Sequence, residues 1–341
     1  MSKAMRKVLI TGSAGFIGYH LCDALLRAGW RVVGYDGMTP YYDVNLKERR
    51  HELLTEHEGF RCEIGQLEDV DRLRAIAREE KPDVIVHLAA QAGVRYSLEN
   101  PRAYVDANLV GAFNVMEIAR ELAVGHLLMA STSSVYGANE KIPFAETDQT
   151  DAPMTLYAAT KKANEAMAHS YAHLHGIPTT MFRFFTVYGP WGRPDMAPFK
   201  FTKGVLEGAV IDVYNHGDMS RDFTYVTDLV RGIELLIDSP PPLMGVDRKV
   251  RAHDSLSPIA PYRVVNIGNG ENVRLLDFIK AIEVACGREA IKNFMPMQKG
   301  DVPATWADNT LLQELTGYAP QIRVREGVQN FVDWYREYYE V

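Results

Sequence analysis

A chain of 341 residues with 44 acidic and 37 basic side chains carries a net charge of −7 and has no lysine- or arginine-rich block, which argues against a nucleic-acid or anionic-membrane surface. Its three cysteines, Cys22, Cys62 and Cys286, are odd in number and lack metal-ligand spacing, so neither a fully paired disulfide framework nor a bound metal is expected. No stretch approaches the roughly 18 consecutive apolar residues of a membrane-spanning helix, and the length suits one large domain or two interleaved ones in a cytoplasmic protein with reduced thiols.

The chain opens with a short apolar run, Lys7-Val8-Leu9-Ile10-Thr11, suited to a buried parallel strand, followed by Gly12-Ser13-Ala14-Gly15-Phe16-Ile17-Gly18 and an apolar helical repeat through Leu25 and Leu26. Gly-x-x-Gly-x-x-Gly between strand and helix permits a tight turn and close backbone approach, so that the helix N-terminus can face a dinucleotide pyrophosphate. The second strand, Arg31 to Asp36, ends in a carboxylate that can accept both ribose hydroxyls of adenosine and would repel a 2'-phosphate, favouring NAD over NADP; an ordinary turn aspartate is the alternative.

A polar segment over 37–59 follows, with a helix through Leu46, Leu53 and Leu54, then a strand at Phe60–Ile64 and a helix through Val70, Leu73 and Ile76. Next come a strand at Asp83–Leu88, a helix from Tyr104 to Leu122, a strand at His126–Ser131, a helix from about Pro153 to His175 and a strand at Pro178–Phe184. Beyond Phe185 the alternation dissolves into loops rich in Gly, Pro and aromatics, with helices near Pro198–Glu207, Asp228–Leu236, Leu275–Ala285 and Glu326–Tyr338. Residues 239–261 read as a surface excursion, and Arg263–Ile267 as a strand returning to the main sheet. The pattern predicts an α/β fold with a doubly wound parallel sheet over 1–186 and a smaller C-terminal lobe over 187–341.

Tyr157 and Lys161 lie four residues apart in the helical run to His175, and so on one helix face. A phenol of ordinary pKa about 10 is a poor base at neutral pH, but a neighbouring ammonium and a cationic nicotinamide would both favour the phenolate, which could then take a proton from a sugar hydroxyl. Alone, the pair equally describes an exposed tyrosine beside a solvated lysine.

Together with the glycine loop and Asp36, these residues make the chain resemble the extended short-chain dehydrogenase/reductase superfamily over essentially its full length. Within that superfamily it is most similar to UDP-glucuronate 4-epimerases. Further segments carry the likeness: His87-Leu88-Ala89-Ala90-Gln91-Ala92-Gly93-Val94-Arg95, Ala130-Ser131-Thr132-Ser133-Ser134-Val135-Tyr136-Gly137, and the run from Arg183 through Gly189-Pro190-Trp191-Gly192-Arg193-Pro194-Asp195-Met196. The resemblance implies a Rossmann-type fold, a catalytic set of Thr132, Tyr157 and Lys161, and a bound NAD contacted by Gly12, Gly15, Phe16, Ile17, Gly18, Asp36, Leu67, Leu88, Ala89, Ala90, Tyr157 and Lys161. Gln66 stands where the family usually has an aspartate on the adenine amino group; its amide could replace that contact with different geometry. Asn108 would order the site or simply pack its helix.

Dehydratases of this superfamily carry Asp-Glu after the threonine, and decarboxylases carry Ser-Glu. Here both places are hydroxyls, Ser133 and Ser134, which cannot act as carboxylic acids at neutral pH. Ser133, Ser134 and Thr186, with Arg193 as a charged partner, are the candidates for holding a hexuronate carboxylate; loop contacts are the alternative. On the nucleotide side the resemblance assigns Arg221 to the pyrophosphate, the helix opened at Met196 to the same phosphates, and Asp301 to the uridine ribose; Arg95 either assists or forms a surface ion pair. The implied reaction is NAD-dependent interconversion of UDP-glucuronate and UDP-galacturonate through a transient 4-keto sugar, with hydride returned to the opposite face. The implied assembly is a homodimer packed through the helices at Tyr104–Leu122 and Met154–His175. UDP-glucose 4-epimerisation, UDP-glucuronate decarboxylation and a non-catalytic NAD-binding sensor stay open as alternatives.

Overall fold

The computed structural model describes residues 5–243 and 253–341. In chain order it contains β1 Lys7–Thr11, α1 Phe16–Arg27, β2 Arg31–Asp36, α2 Val44–Thr55, β3 Phe60–Ile64, α3 Val70–Glu80, β4 Val84–His87, α4 Tyr96–Glu99, α5 Pro101–Tyr104, a π-helical segment Val105–Gly111, α6 Ala112–Leu122, β5 His126–Thr132, α7 Leu156–His175 and β6 Thr179–Phe184. The second half contains β7 Thr186–Tyr188, α8 Ala197–Glu207, β8 Val210–Val213, β9 Ser220–Arg221, β10 Phe223–Tyr225, α9 Val226–Ile237, β11 Tyr262–Ile267, β12 Val273–Arg274, α10 Leu275–Cys286, β13 Ile291–Phe294, β14 Ala304–Thr305, α11 Thr310–Thr316 and α12 Val324–Tyr339.

Seven strands form one parallel sheet in the order β11-β6-β5-β4-β1-β2-β3. Runs such as Val8-Leu9-Ile10 and Val84-Ile85-Val86 are apolar at successive positions because both faces of this sheet are covered. One face packs Leu21, Leu25, Leu229, Ile233 and Leu312; the other packs Leu73, Ile76, Val115, Ile118 and Ala168. Strand order reverses between β1 and β4, and the carboxyl ends of those two strands open the crevice in which such sheets bind ligands.

Strand β11 pairs with β6 in parallel, Tyr262 opposite Thr179 through Ile267 opposite Phe184, so the chain does return to the main sheet after its excursion. Residues 244–252 of that excursion lie outside the described residues. The helix expected to run unbroken from Tyr104 to Leu122 instead widens into the π-helical segment before α6. The second lobe has its own core, in which Phe223 stacks on Phe278 with ring centroids 3.9 Å apart and Tyr188 meets both rings edge-on. Three small sheets organise it: β7–β10, β12–β9–β14 and β8–β13. Among the described residues, no helix is long and apolar enough to cross a membrane.

Candidate active site

The glycine loop is shaped by contacts that no side chain could share. Gly12 follows β1 with φ of +81°, and a Cβ there would sit 2.7 Å from the Ala89 amide nitrogen. At Gly18 a Cβ would lie 2.0 Å from the Gly12 carbonyl oxygen, and at Gly15 2.9 Å from the same atom. The loop thus abuts the Leu88-Ala89-Ala90 segment beyond β4, and Leu88 N–H donates to the Thr11 carbonyl. No side chain caps Gly15, so the first-turn N–H groups of α1, from Phe16 and Ile17 onward, remain free to meet an anion.

Asp36, at the end of β2, accepts from Ala14 N at 3.0 Å and Met38 N at 2.8 Å and is 8% exposed. Gln66 donates its amide nitrogen to the Gly37 carbonyl at 2.9 Å, which leaves its oxygen as the free acceptor, the atom type an adenine amino group requires. Beside it, the Leu67 carbonyl is held by Asn114 at 2.9 Å. These residues fit a dinucleotide with an unmodified adenosine ribose. Arg50, which sequence reasoning missed, is fully buried and donates to Ala14 O at 2.8 Å and Trp191 O at 2.6 Å, tying the glycine loop to the second lobe. An arginine beside Arg49 within a polar helical repeat gives no signal of this.

Tyr157 and Lys161 rise from the first turns of α7, which begins where the Thr155 hydroxyl accepts Ala158 N at 3.2 Å. Thr132 ends β5 in extended backbone; its hydroxyl accepts Ser134 N and donates to Ser134 Oγ, both at 3.2 Å, and thereby caps its own turn. Burial raises the Tyr157 phenol pKa above its ordinary value, opposed by the Thr132 hydrogen bond and the positive charge of Arg193. Lys161, 2% exposed, donates its ammonium to Ala130 O at 2.9 Å, and desolvation lowers its pKa to about 8. The Lys161 ammonium is thus turned toward β5.

Asn108 lies in the π-helical segment. Its amide oxygen accepts Gln91 N at 2.8 Å, and its nitrogen donates to Gln91 O at 3.0 Å and Thr160 Oγ1 at 3.1 Å. Site ordering and helix packing are here one set of bonds, since they fix the segment after β4 against α7.

A cavity of about 50 Å³ brings Ser133, Ser134, Val94 and Thr155 together with Gly300, Val302 and Thr305 of the second lobe, and none of its lining residues is acidic. Arg193 is held by Asp195 in a two-pronged ion pair, Nε–Oδ1 3.0 Å and Nη2–Oδ2 2.5 Å. Thr186 opens β7 opposite Phe223, with its N–H on the Asp222 carbonyl, and is not among the cavity-lining residues. On the far side Arg95 pairs with Asp301 at 3.4 Å and lies over the Tyr214 ring, so the surface ion pair does form. Arg221 donates to Ser220 O at 2.8 Å and Pro303 O at 3.1 Å; burial lowers its pKa and the charge of Asp301 opposes this. Arg95, Arg221 and Asp301 thereby form one cluster. Helix α8 begins after Met196 with no side-chain cap and a proline in its first turn. Among the described residues no group of histidine, cysteine and acidic side chains could hold a metal ion.

Residues 8–243 match the model of the NAD dependent epimerase/dehydratase family. The chain belongs to this family. It is 59% identical over 333 residues to a probable UDP-glucuronate 4-epimerase of Rhizobium meliloti, covering 98% of each chain. It is similar to the crystal structure of UDP-glucuronic acid 4-epimerase from Bacillus cereus in complex with UDP-glucuronic acid and NAD, with 32% identity, a TM-score of 0.86 and coverage of 98% of this chain and 100% of that one. The UDP-glucose 4-epimerase of Thermotoga maritima, solved with UDP-glucose, is 26% identical with a TM-score of 0.83, over 98% of this chain and 99% of that one.

Proposed function

We propose that this NAD-dependent family member interconverts UDP-glucuronate and UDP-galacturonate by epimerisation at C4. The observation that carries the reading is the cavity at the start of α7, lined by the paired hydroxyls Ser133 and Ser134 together with Thr155 and without an acid. Such a lining can orient a hexuronate carboxylate without supplying the acid and base that elimination of water requires. NAD, when bound, supplies the acceptor and donor of hydride at C4. Gly12, Gly15, Gly18, Asp36 and Gln66 would hold it, and Lys161 would meet its nicotinamide ribose.

Tyr157 takes the O4 proton and later returns it, and the Thr132 hydroxyl, on turning from Ser134 Oγ, would donate to the phenolate between those steps. Arg193 stabilises the same phenolate and, with Ser133, Ser134 and Thr186, holds the carboxylate in the plane of the C4 carbonyl, where loss of carbon dioxide from the β-keto acid is disfavoured. Arg95, Arg221 and Asp301 receive the nucleotide. The reading extends to a cytoplasmic homodimer joined through the π-helical segment, α6 and α7, supported by Val110, Phe113 and Leu174, one on each, which are 42%, 44% and 68% exposed.

The test is incubation with UDP-glucuronate deuterated at C4. The expected product is UDP-galacturonate that retains the label, with no net NADH. A UDP-pentose product would replace the reading with decarboxylation, and turnover confined to UDP-glucose would remove the carboxylate from the specificity.

A further inference from the structure

Arg193 has Asp195 as its ion-pair partner among the described residues. Its Nε and Nη2 face Asp195, and the Nη1 edge makes no hydrogen bond to the protein among the described residues. A guanidinium carries five N–H donors in a rigid fork, so a bidentate partner on one edge fixes the plane and direction of the other. The far oxygen of the clamp, Asp195 Oδ2, accepts in addition from the hydroxyl of Tyr41 at 3.1 Å. The Tyr41 ring lies beneath the guanidinium, 5.7 Å from Cζ to centroid, and packs on Tyr96 at 4.8 Å. Gly93 makes room for it: a Cβ there would come within 2.6 Å of the Tyr41 hydroxyl.

We infer that Tyr41 and Asp195 are positioning residues that set which edge of Arg193 the substrate carboxylate meets, and so determine the preference for a hexuronate over a neutral hexose. Tyr41 belongs to the segment that follows Asp36, and its neighbour Met38 donates to Asp36 with φ of +47°. One short stretch therefore serves the cofactor ribose at one end and the carboxylate clamp at the other. Desolvation, then the charge of Asp195, raises the Tyr41 pKa to about 12, so the hydroxyl stays a donor throughout the neutral range.

This inference rests on the assignment of Arg193 to the substrate carboxylate, and a binding measurement separates it from the reaction itself. NAD-loaded protein is titrated calorimetrically with UDP-glucuronate and with UDP-glucose. Tyr41→Phe is expected to weaken UDP-glucuronate by about tenfold, the scale of one hydrogen bond to a charged group, and UDP-glucose by less than about twofold. In an Arg193→Met background the same Tyr41→Phe change should cost neither ligand anything further. Asp195→Asn is the second variant, expected to lose the same discrimination, and it decides the matter if Tyr41→Phe fails to fold. Equal losses for both sugars, or a loss that persists without Arg193, overturn the positioning role. Tight, selective UDP-glucuronate binding without epimerised product would sink the proposed reaction and leave this inference standing.

Discussion

In the half that carries the glycine loop, candidate site residues sit at the ends of strands whose backbone is satisfied by a long parallel ladder: Gly12 after β1, Asp36 at the end of β2, Thr132 at the end of β5. In the second lobe the strands are two to four residues long, and buried carboxylates do what ladders do elsewhere. Asp222, fully buried, accepts from the backbone of Asn269 at 2.6 Å, Gly270 at 2.9 Å and Ala307 at 3.2 Å, and from Thr224 at 3.1 Å. Asp228 accepts from Tyr318 Oη, Gln321 N and Ile322 N. A ladder distributes its support over many residues, whereas a carboxylate hub concentrates it in one. Outside its glycine loop, the half with the long ladder should tolerate single substitutions of carboxylates that the second lobe does not.

The largest expected effect leaves both halves folded. Tyr157→Phe removes the proton-transfer group and should lower turnover by about 100- to 10,000-fold, with nucleotide binding and melting temperature nearly unchanged. Near-wild-type turnover would take Tyr157 out of the mechanism. Asp222→Ala strikes the lobe instead. It leaves the buried Ala307 N–H and the part-buried N–H groups of Asn269 and Gly270 without an acceptor, and at roughly 1 to 3 kcal/mol for the buried group and less for the other two the lobe should lose about 2 to 4 kcal/mol. Three of the four tryptophans, Trp191, Trp306 and Trp334, lie beyond residue 186. Tryptophan fluorescence in a denaturant series should therefore shift before NAD is released. Coincident transitions would show that the two halves unfold as one and erase the contrast.

Lys161 tests the cofactor half from the opposite direction, since a buried ammonium is a cost there. The unfolded lysine titrates near 10.5 and the folded one at about 8. Below pH 8 both states are protonated and the whole penalty applies; between the two values the unfolded chain binds more protons, so stability rises with pH and the penalty disappears. Lys161→Met should stabilise the NAD-free protein by up to about 3 kcal/mol below pH 8, with the gain fading as pH rises toward 10.5, while abolishing activity. A gain that does not depend on pH would assign it to packing alone.

The same contrast governs how much of the molecule is legible in its sequence. Inner strands of the main sheet such as β1 and β4 are legible because burial on both faces demands continuous apolar runs, and the glycine loop because only glycine fits where Gly18 meets the Gly12 carbonyl. Strands β7 and β10 are only three residues each, too short for a period to show, and each gains its place from a partner far along the chain. Asp222, next to Arg221, gives no sign of its role, because nothing local distinguishes a hub aspartate from a solvated one; its donors come from residues 269, 270 and 307. Tyr41 and Asp195 escape sequence reasoning for the same reason, being 154 positions apart. The π-helical turn around Asn108 leaves no trace in the sequence, since its apolar spacing differs little from an α-helix over seven residues.

Asp36 is where the two designs meet, and it gives the smallest and sharpest prediction. Like Asp222 it is a buried carboxylate that accepts backbone N–H groups, but it accepts two, and the ladder of β2 supports it from behind. Asp36→Asn keeps one acceptor oxygen and removes the negative charge. Because the ladder carries the local fold, stability should change by less than about 1 kcal/mol, in contrast to Asp222. The charge is what would repel a 2'-phosphate, so affinity for NAD should fall by about tenfold while discrimination against NADP relaxes. Paired titrations with NAD and NADP check this. An unchanged NAD/NADP ratio would make Asp36 a loop anchor alone, and a stability loss as large as that of Asp222→Ala would mean that carboxylate hubs hold both halves of the molecule.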